Sequence, residues 1–170
     1  MGYITLNLRG IPFWYYAIAV GLLLGIFFIT KKIPLAVLIT YMFLILVATT
    51  LARSASPTVQ YEYLPFASYK RAASSRDMWW QVVCNVGMSV PIGVLMPVVL
   101  REKNSNGKKL LITLLAGIAF SVFIEALQFA LHRGYSETDD VISSVIGLLI
   151  GFIMYFLMIR LIKFLINRKK

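Results

Sequence analysis

An all-α bundle of about five transmembrane helices is the fold class this sequence predicts, and three observations predict it. Of its 170 residues, 59% are hydrophobic and only 14% charged, which is more apolar surface than a soluble domain of that size buries. The apolar residues fall in runs of roughly 20, each long enough to cross a hydrocarbon core of about 30 Å as a helix. The 17 Lys and Arg residues, which set a formal net charge of +10, sit in short loops and a tail between those runs, as they do in membrane proteins. Too little lies outside the runs for a separate soluble domain, so residues 1–170 read as a single membrane domain.

The first span is expected at about Ile11 to Thr30 and is read as a retained helix rather than a signal peptide, because only Arg9 flanks it and KKIP turns directly into another apolar run. Lys31 and Lys32 make that turn, Pro34 opens the second span, and the run ends near Ala52, giving a helical hairpin. Arg53 to Met78 is the longest polar stretch and predicts a loop with a short interfacial piece around YEYLPF. The third span covers about Trp79 to Leu100, its Trp pair suited to the headgroup boundary. After the turn REKNSNGKK comes the fourth span, about Leu110 to Leu131, and then the fifth, from near Val141 toward Arg160, followed by the basic tail RLIKFLINRKK. Ser136 and Asp139 fit a capping box for the fifth helix.

Counting cations orients the chain. With the N-terminus outside, Lys31, Lys32, the four cations of REKNSNGKK and the five of the tail lie inside, 11 of 17, as the positive-inside rule requires. Glu102 is then the one acidic residue inside, with Glu62, Asp77, Glu137, Asp139 and Asp140 outside. The inner cations suit anionic lipid headgroups. No basic stripe interleaved with aromatics survives once the spans are removed, so a nucleic-acid partner is not expected. Cys84 is the only cysteine and lies in an apolar run, which excludes an intrachain disulfide and a cysteine-rich metal site. His132 alone makes no metal site, and no cofactor is expected.

Glu125 is the most informative residue, because it lies inside the fourth span, where an ionisable group costs a few kcal/mol on insertion scales. Ser121, Glu125, Gln128 and His132 are spaced four, three and four apart, one polar stripe on one helix face, expected to look into the bundle. At about 1.5 Å per residue, Glu125 lies roughly 10 Å below the outer end of its helix. Partners are sought in Asn85 of the third span, Asp139 and Asp140 atop the fifth, Arg133 between the two, and Arg53 at the end of the second. Either arginine can pair bidentately with a carboxylate of the site or with a carboxylate or phosphate of a ligand. Ser143, Gly147 and Gly151 recur every four residues on the fifth helix, the spacing that lets helix backbones approach closely. Pro91 and Gly93 read as a packing kink in the third span.

These residues carry a resemblance. IEALQ at 124–128, then Arg133, then Asp139 and Asp140, then Gly147 and Gly151, resemble the membrane-embedded motifs of the VanZ-like family. Upstream, Arg53, LPF at 64–66, Asn85 and PIG at 91–93 follow the family's order and spacing. The resemblance covers about residues 40–160, preceded by a further transmembrane helix at about 11–30. Tyr63 and Ser144 depart from it, each standing where the family commonly has Asn. The resemblance implies a multi-pass protein of the bacterial plasma membrane with an envelope role linked to teicoplanin-type lipoglycopeptides.

Three readings of the polar residues follow. In the first, Arg53, Asn85, Glu125, Gln128, Arg133, Asp139 and Asp140 line an outward-facing site that binds an amphiphilic envelope ligand, a lipoglycopeptide or lipid-linked glycan. In the second the protein is a hydrolase or transferase on a lipid-linked substrate, with Glu125 and Asp139 or Asp140 as catalytic carboxylates, although no nucleophile elbow, HExxH or phosphate loop accompanies them. In the third the carboxylate relays protons in a transporter or flippase. Against all three stands a purely structural polar network.

Overall fold

A computed structural model describes residues 11–58, 61–100 and 104–168. Arg9, Arg101, Glu102, Lys103, Lys169 and Lys170, which entered the charge count, lie outside the described residues. Five helices are long and apolar enough to cross a membrane, making this a multi-pass membrane protein. The first, α1, is Phe13–Thr30. The second, α2, is Ile33–Leu46 and continues through a π-helical turn at Val47–Leu51. A short helix α3, Ala67–Ala72, precedes α4, Arg76–Val99. The last two are α5, Asn106–Leu131, and α6, Thr138–Asn167.

The expected hairpin forms between α1 and α2: Lys31 adopts a left-handed conformation, its N–H donates to the Phe27 carbonyl at 2.7 Å, and Pro34 sits in the first turn of α2. Alternating crossings then place Lys31, Ser105 and the end of α6 at one end of the bundle. Residues 52–58, 61–75 and 132–137 gather at the other. With 30 residues, α6 is about 45 Å long and continues through Asn167, taking in residues of the tail that were expected to lie beyond the span.

Close backbone contact joins α4 to α6. A Cβ on Gly147 would run into the Val86 carbonyl and one on Gly151 into the Val90 carbonyl, while Gly93 lies equally tight against the backbone of Leu148. The small-residue stripe therefore does what its spacing predicts. Pro91 lies within α4, and in the turn before it the Tyr41 hydroxyl donates to the Met88 carbonyl at 2.9 Å, supplying a hydrogen bond from a neighbouring helix where the proline weakens the ladder. Leu38, Ile45, Ile92, Ile124 and Leu148 form the buried apolar centre.

The all-α bundle is as expected; at its loop-rich end Tyr61–Glu62 (β1) adds a two-residue parallel pairing with Ser136–Glu137 (β2), Tyr61 opposite Ser136. One expectation is corrected: the capping box is absent. Glu137 occupies the N-cap position of α6 and no side chain caps that end. The Asp139 carboxylate instead accepts the N–H groups of Phe66 at 2.6 Å and Ser68 at 2.7 Å, so it caps the start of α3, about 70 residues upstream. Two N–H bonds from a helix start hold a carboxylate better than the single local bond a capping box offers.

Candidate functional site

A cavity of about 60 Å³ opens between α2, α4, α5 and α6 toward the loop-rich end, room for a few water molecules. Each helix contributes side chains at three- or four-residue spacing. From α2 and its extension come Ile45, Thr49 and Arg53; from α4, Gln81, Asn85 and Ser89; from α5, Ser121, Glu125 and Gln128; from α6, Asp140, Ser144 and Leu148. The apolar members close the floor toward the bundle centre, and the polar ones line the walls.

The π turn shapes one wall. Widening the helix there releases backbone carbonyls from the α-helical ladder, and side chains of the far helix end collect them. Gln128 Nε2 donates to the Thr49 carbonyl at 3.1 Å, and Arg133 Nη1 donates to the Leu51 carbonyl at 2.8 Å. Ser56 N–H donates to the His132 carbonyl at 2.8 Å, tying the same strands of chain together. Gly134, at φ +97°, lets Arg53 lie across it: a Cβ there would stand 2.7 Å from Arg53 Nη1.

On the opposite wall Asn85 Nδ2 donates to Asp140 Oδ1 at 2.5 Å, and Ser121 and Ser144 share a hydrogen bond at 3.1 Å. Glu125 Oε2 accepts the Glu137 N–H at 2.8 Å, which couples α5 to β2, and the Glu125 side chain lines the cavity. Two groups remain uncommitted. Gln128 is only 4% exposed, yet its Oε1 has no hydrogen-bond partner. The Arg53 guanidinium makes no hydrogen bond within the described residues; burial lowers it from its ordinary value, while the nearby Asp140 and Glu125 carboxylates act to raise it. An orphaned buried acceptor costs about 1–3 kcal/mol, and a half-buried cation beside it supplies the opposite need. A ligand or water with both donor and acceptor character satisfies the pair.

Of the seven residues singled out from sequence, five line the cavity: Arg53, Asn85, Glu125, Gln128 and Asp140. Arg133 is spent on the Leu51 carbonyl and Asp139 on α3, so neither lines it. His132 is exposed and ends α5 in a left-handed conformation. Gln81, Thr49 and Ser89 were missed. Gln81, Asn85 and Ser89 repeat every four residues on α4, the same signal that singled out the α5 stripe.

Next to the cavity a second polar cluster fastens the segment that holds β1 and α3. The Ser68 hydroxyl donates to the Glu137 carboxylate, and Arg71 bridges Glu62 at 3.2 Å and Glu137 at 3.3 Å. Burial pushes the Glu137 carboxyl above its ordinary range, with Ser68 and Arg71 acting to lower it. Among the described residues no group of three His, Cys, Asp or Glu side chains is placed to hold a metal ion.

No curated protein and no solved structure gave a significant match. A family model does: VanZ/LLP1 matches residues 13–160, a region that takes in α1 as well as every motif described above. The chain belongs to the VanZ/LLP1 family, which is associated with teicoplanin resistance.

Proposed function

We propose that the protein resides in a bacterial plasma membrane with its N-terminus and its cavity outside, and that the cavity engages the polar head of an amphiphilic envelope ligand, a lipoglycopeptide or a lipid-linked glycan. The observation that carries this reading is the pairing of Gln128 Oε1, buried and without a donor, with the uncommitted guanidinium of Arg53 at one mouth. A network built only to fix helix packing satisfies its buried polar atoms internally; this one leaves an acceptor and a cation facing the same space. A cavity of this size takes a sugar hydroxyl, an amide or one phosphate oxygen, while the apolar tail lies along the lipid-facing helices. The charge distribution supports the orientation. Among the described residues seven cations, Lys31, Lys32, Lys108, Lys109, Arg160, Lys163 and Arg168, lie at the end opposite the cavity and five, Arg53, Lys70, Arg71, Arg76 and Arg133, at the cavity end, which also holds all six carboxylates.

The test compares wild type with Glu125→Gln at matched membrane abundance for susceptibility to teicoplanin, vancomycin and unrelated envelope antibiotics. Glutamine keeps the size and removes the charge. Protection confined to lipoglycopeptides in wild type, with a fall of roughly tenfold or more in the variant, is the expected result. Protection that survives unchanged in Glu125→Gln sinks the assignment of the cavity. A second reading rests on Glu125 and Asp140 facing one cavity: a carboxylate pair for hydrolysis or group transfer on a lipid-linked substrate. It predicts altered lipid-linked products by mass spectrometry in membranes that carry the protein, and no change on expression of Glu125→Gln.

A further inference from the structure

At the end of the bundle opposite the cavity, a second pocket of about 320 Å³ lies between the start of α5 and the last turns of α6, lined by Asn106, Tyr155, Phe156, Ile159, Arg160 and Lys163. We infer that this pocket is a binding site for the phosphate of an anionic glycerophospholipid, a site separate from the outer cavity and independent of what that cavity binds. Three features converge on it. Arg160 is held at the rim by its own helix, its guanidinium over the Phe156 ring at 4.5 Å, so a planar donor fork is fixed rather than free. Lys163 lies one turn further on the same wall. Behind the pocket Lys109 is only 7% exposed, and its ammonium donates to the Tyr155 hydroxyl at 3.0 Å.

Lys109, hydrogen-bonded to the Tyr155 hydroxyl and with its ammonium over that ring at 5.5 Å, places a positive charge one hydroxyl away from the pocket, and Arg160 and Lys163 add two more at its mouth. Three cations at one pocket select an anion. Its source is a lipid rather than free phosphate, because the pocket opens where the neighbouring helix faces are apolar and exposed: Leu111 of α5, and Leu157, Leu161 and Ile162 of α6. Those faces accept acyl chains, while a phosphodiester occupies a pocket of headgroup size. Basic pockets between transmembrane helices recognise anionic headgroups in this way.

The experiment uses the full chain purified in mild detergent and scored by native mass spectrometry after addition of phosphatidylglycerol, phosphatidylcholine or inorganic phosphate. Wild type is expected to retain one phosphatidylglycerol in preference to phosphatidylcholine. The double variant Arg160→Gln, Lys163→Gln is expected to lose that retention roughly thirtyfold, the loss expected of two juxtamembrane cations. Both side chains are exposed, so folding is spared, and Arg160→Lys with Lys163 intact should bind more weakly than wild type but better than the double variant, since the charge is kept and the fork lost. The control Lys31→Gln, Lys32→Gln removes two charges at the same end but outside the pocket and should leave retention unchanged. Equal loss in that control, equal retention of phosphatidylcholine, or full displacement by inorganic phosphate would each overturn the assignment.

Discussion

In membranes of expressing cells, Gly151→Leu and Gly147→Leu are expected to reduce the amount of folded protein at least tenfold, whereas Gly87→Leu leaves it near wild type. All three glycines lie on spanning helices, and only their surroundings differ. A Cβ at Gly151 or Gly147 meets a backbone carbonyl of α4, Val90 or Val86, and a carbonyl cannot rotate aside as a side chain does. Around Gly87 nothing lies within 4 Å. Overpacking in a tight core costs about 1–3 kcal/mol where neighbours can yield. Here α4 and α6 must separate, which also opens the cavity that both helices line, so the cost exceeds that range and consumes much of a marginal stability. Gly117→Ala discriminates further. The added methyl meets the Leu148 side chain rather than backbone, and a loss of about 1 kcal/mol, seen as a few degrees in apparent Tm, is expected. Equal loss for the Gly87 and Gly151 variants would mean that the α4–α6 approach does not set the effect, since leucine favours a helix more than glycine does at both positions.

The parts of this molecule that were legible in its sequence are those governed by period and partition. Apolar runs located all five spans, with boundaries displaced outward because helices continue past the hydrocarbon: α4 begins at Arg76 rather than Trp79, and α5 at Asn106 rather than Leu110. Ser121, Glu125 and Gln128 were placed on an inward face because intramembrane polar groups seek the bundle interior, and that face lines the cavity. The same rule applied to α4 yields Gln81 and Ser89 beside Asn85. What could not be read was set by tertiary contact. Two-residue strands some 75 positions apart carry no periodicity. The π turn at Val47–Leu51, VATTL, carries no local breaker and forms where Gln128 and Arg133 can take up its free carbonyls. A capping box is a local pattern, and it lost to a non-local partner with two donors to offer.

That partner exchange makes Asp139 the second residue whose loss has a large and specific consequence. In Asp139→Ala the segment Phe66 to Ala72 is expected to lose its hydrogen-exchange protection while the spanning helices keep theirs. The carboxylate accepts the Phe66 and Ser68 N–H groups, charge-assisted bonds worth about 1.5 kcal/mol or more each, and their removal leaves the donors of a helix start unpaired. Phe66 deepens the dependence: it sits at φ +64°, a left-handed conformation that costs a side-chain-bearing residue roughly 1–2 kcal/mol and persists only while the carboxylate holds both N–H groups. A six-residue helix has no means of standing alone. Asp139→Asn should behave nearly as badly, since an amide offers one acceptor where two donors converge. Phe66→Gly should move the other way, relieving the strained φ at the loss of an exposed ring, and should partly restore protection in the Asp139→Asn background. Because Ser68 and Arg71 also fasten Glu137, and the Glu137 N–H is the donor to Glu125, release of α3 reaches the cavity wall. An Asp139→Ala variant that remains abundant in membranes yet loses ligand retention would trace that route, whereas unchanged exchange at Phe66 to Ala72 would mean the loop is held without the carboxylate.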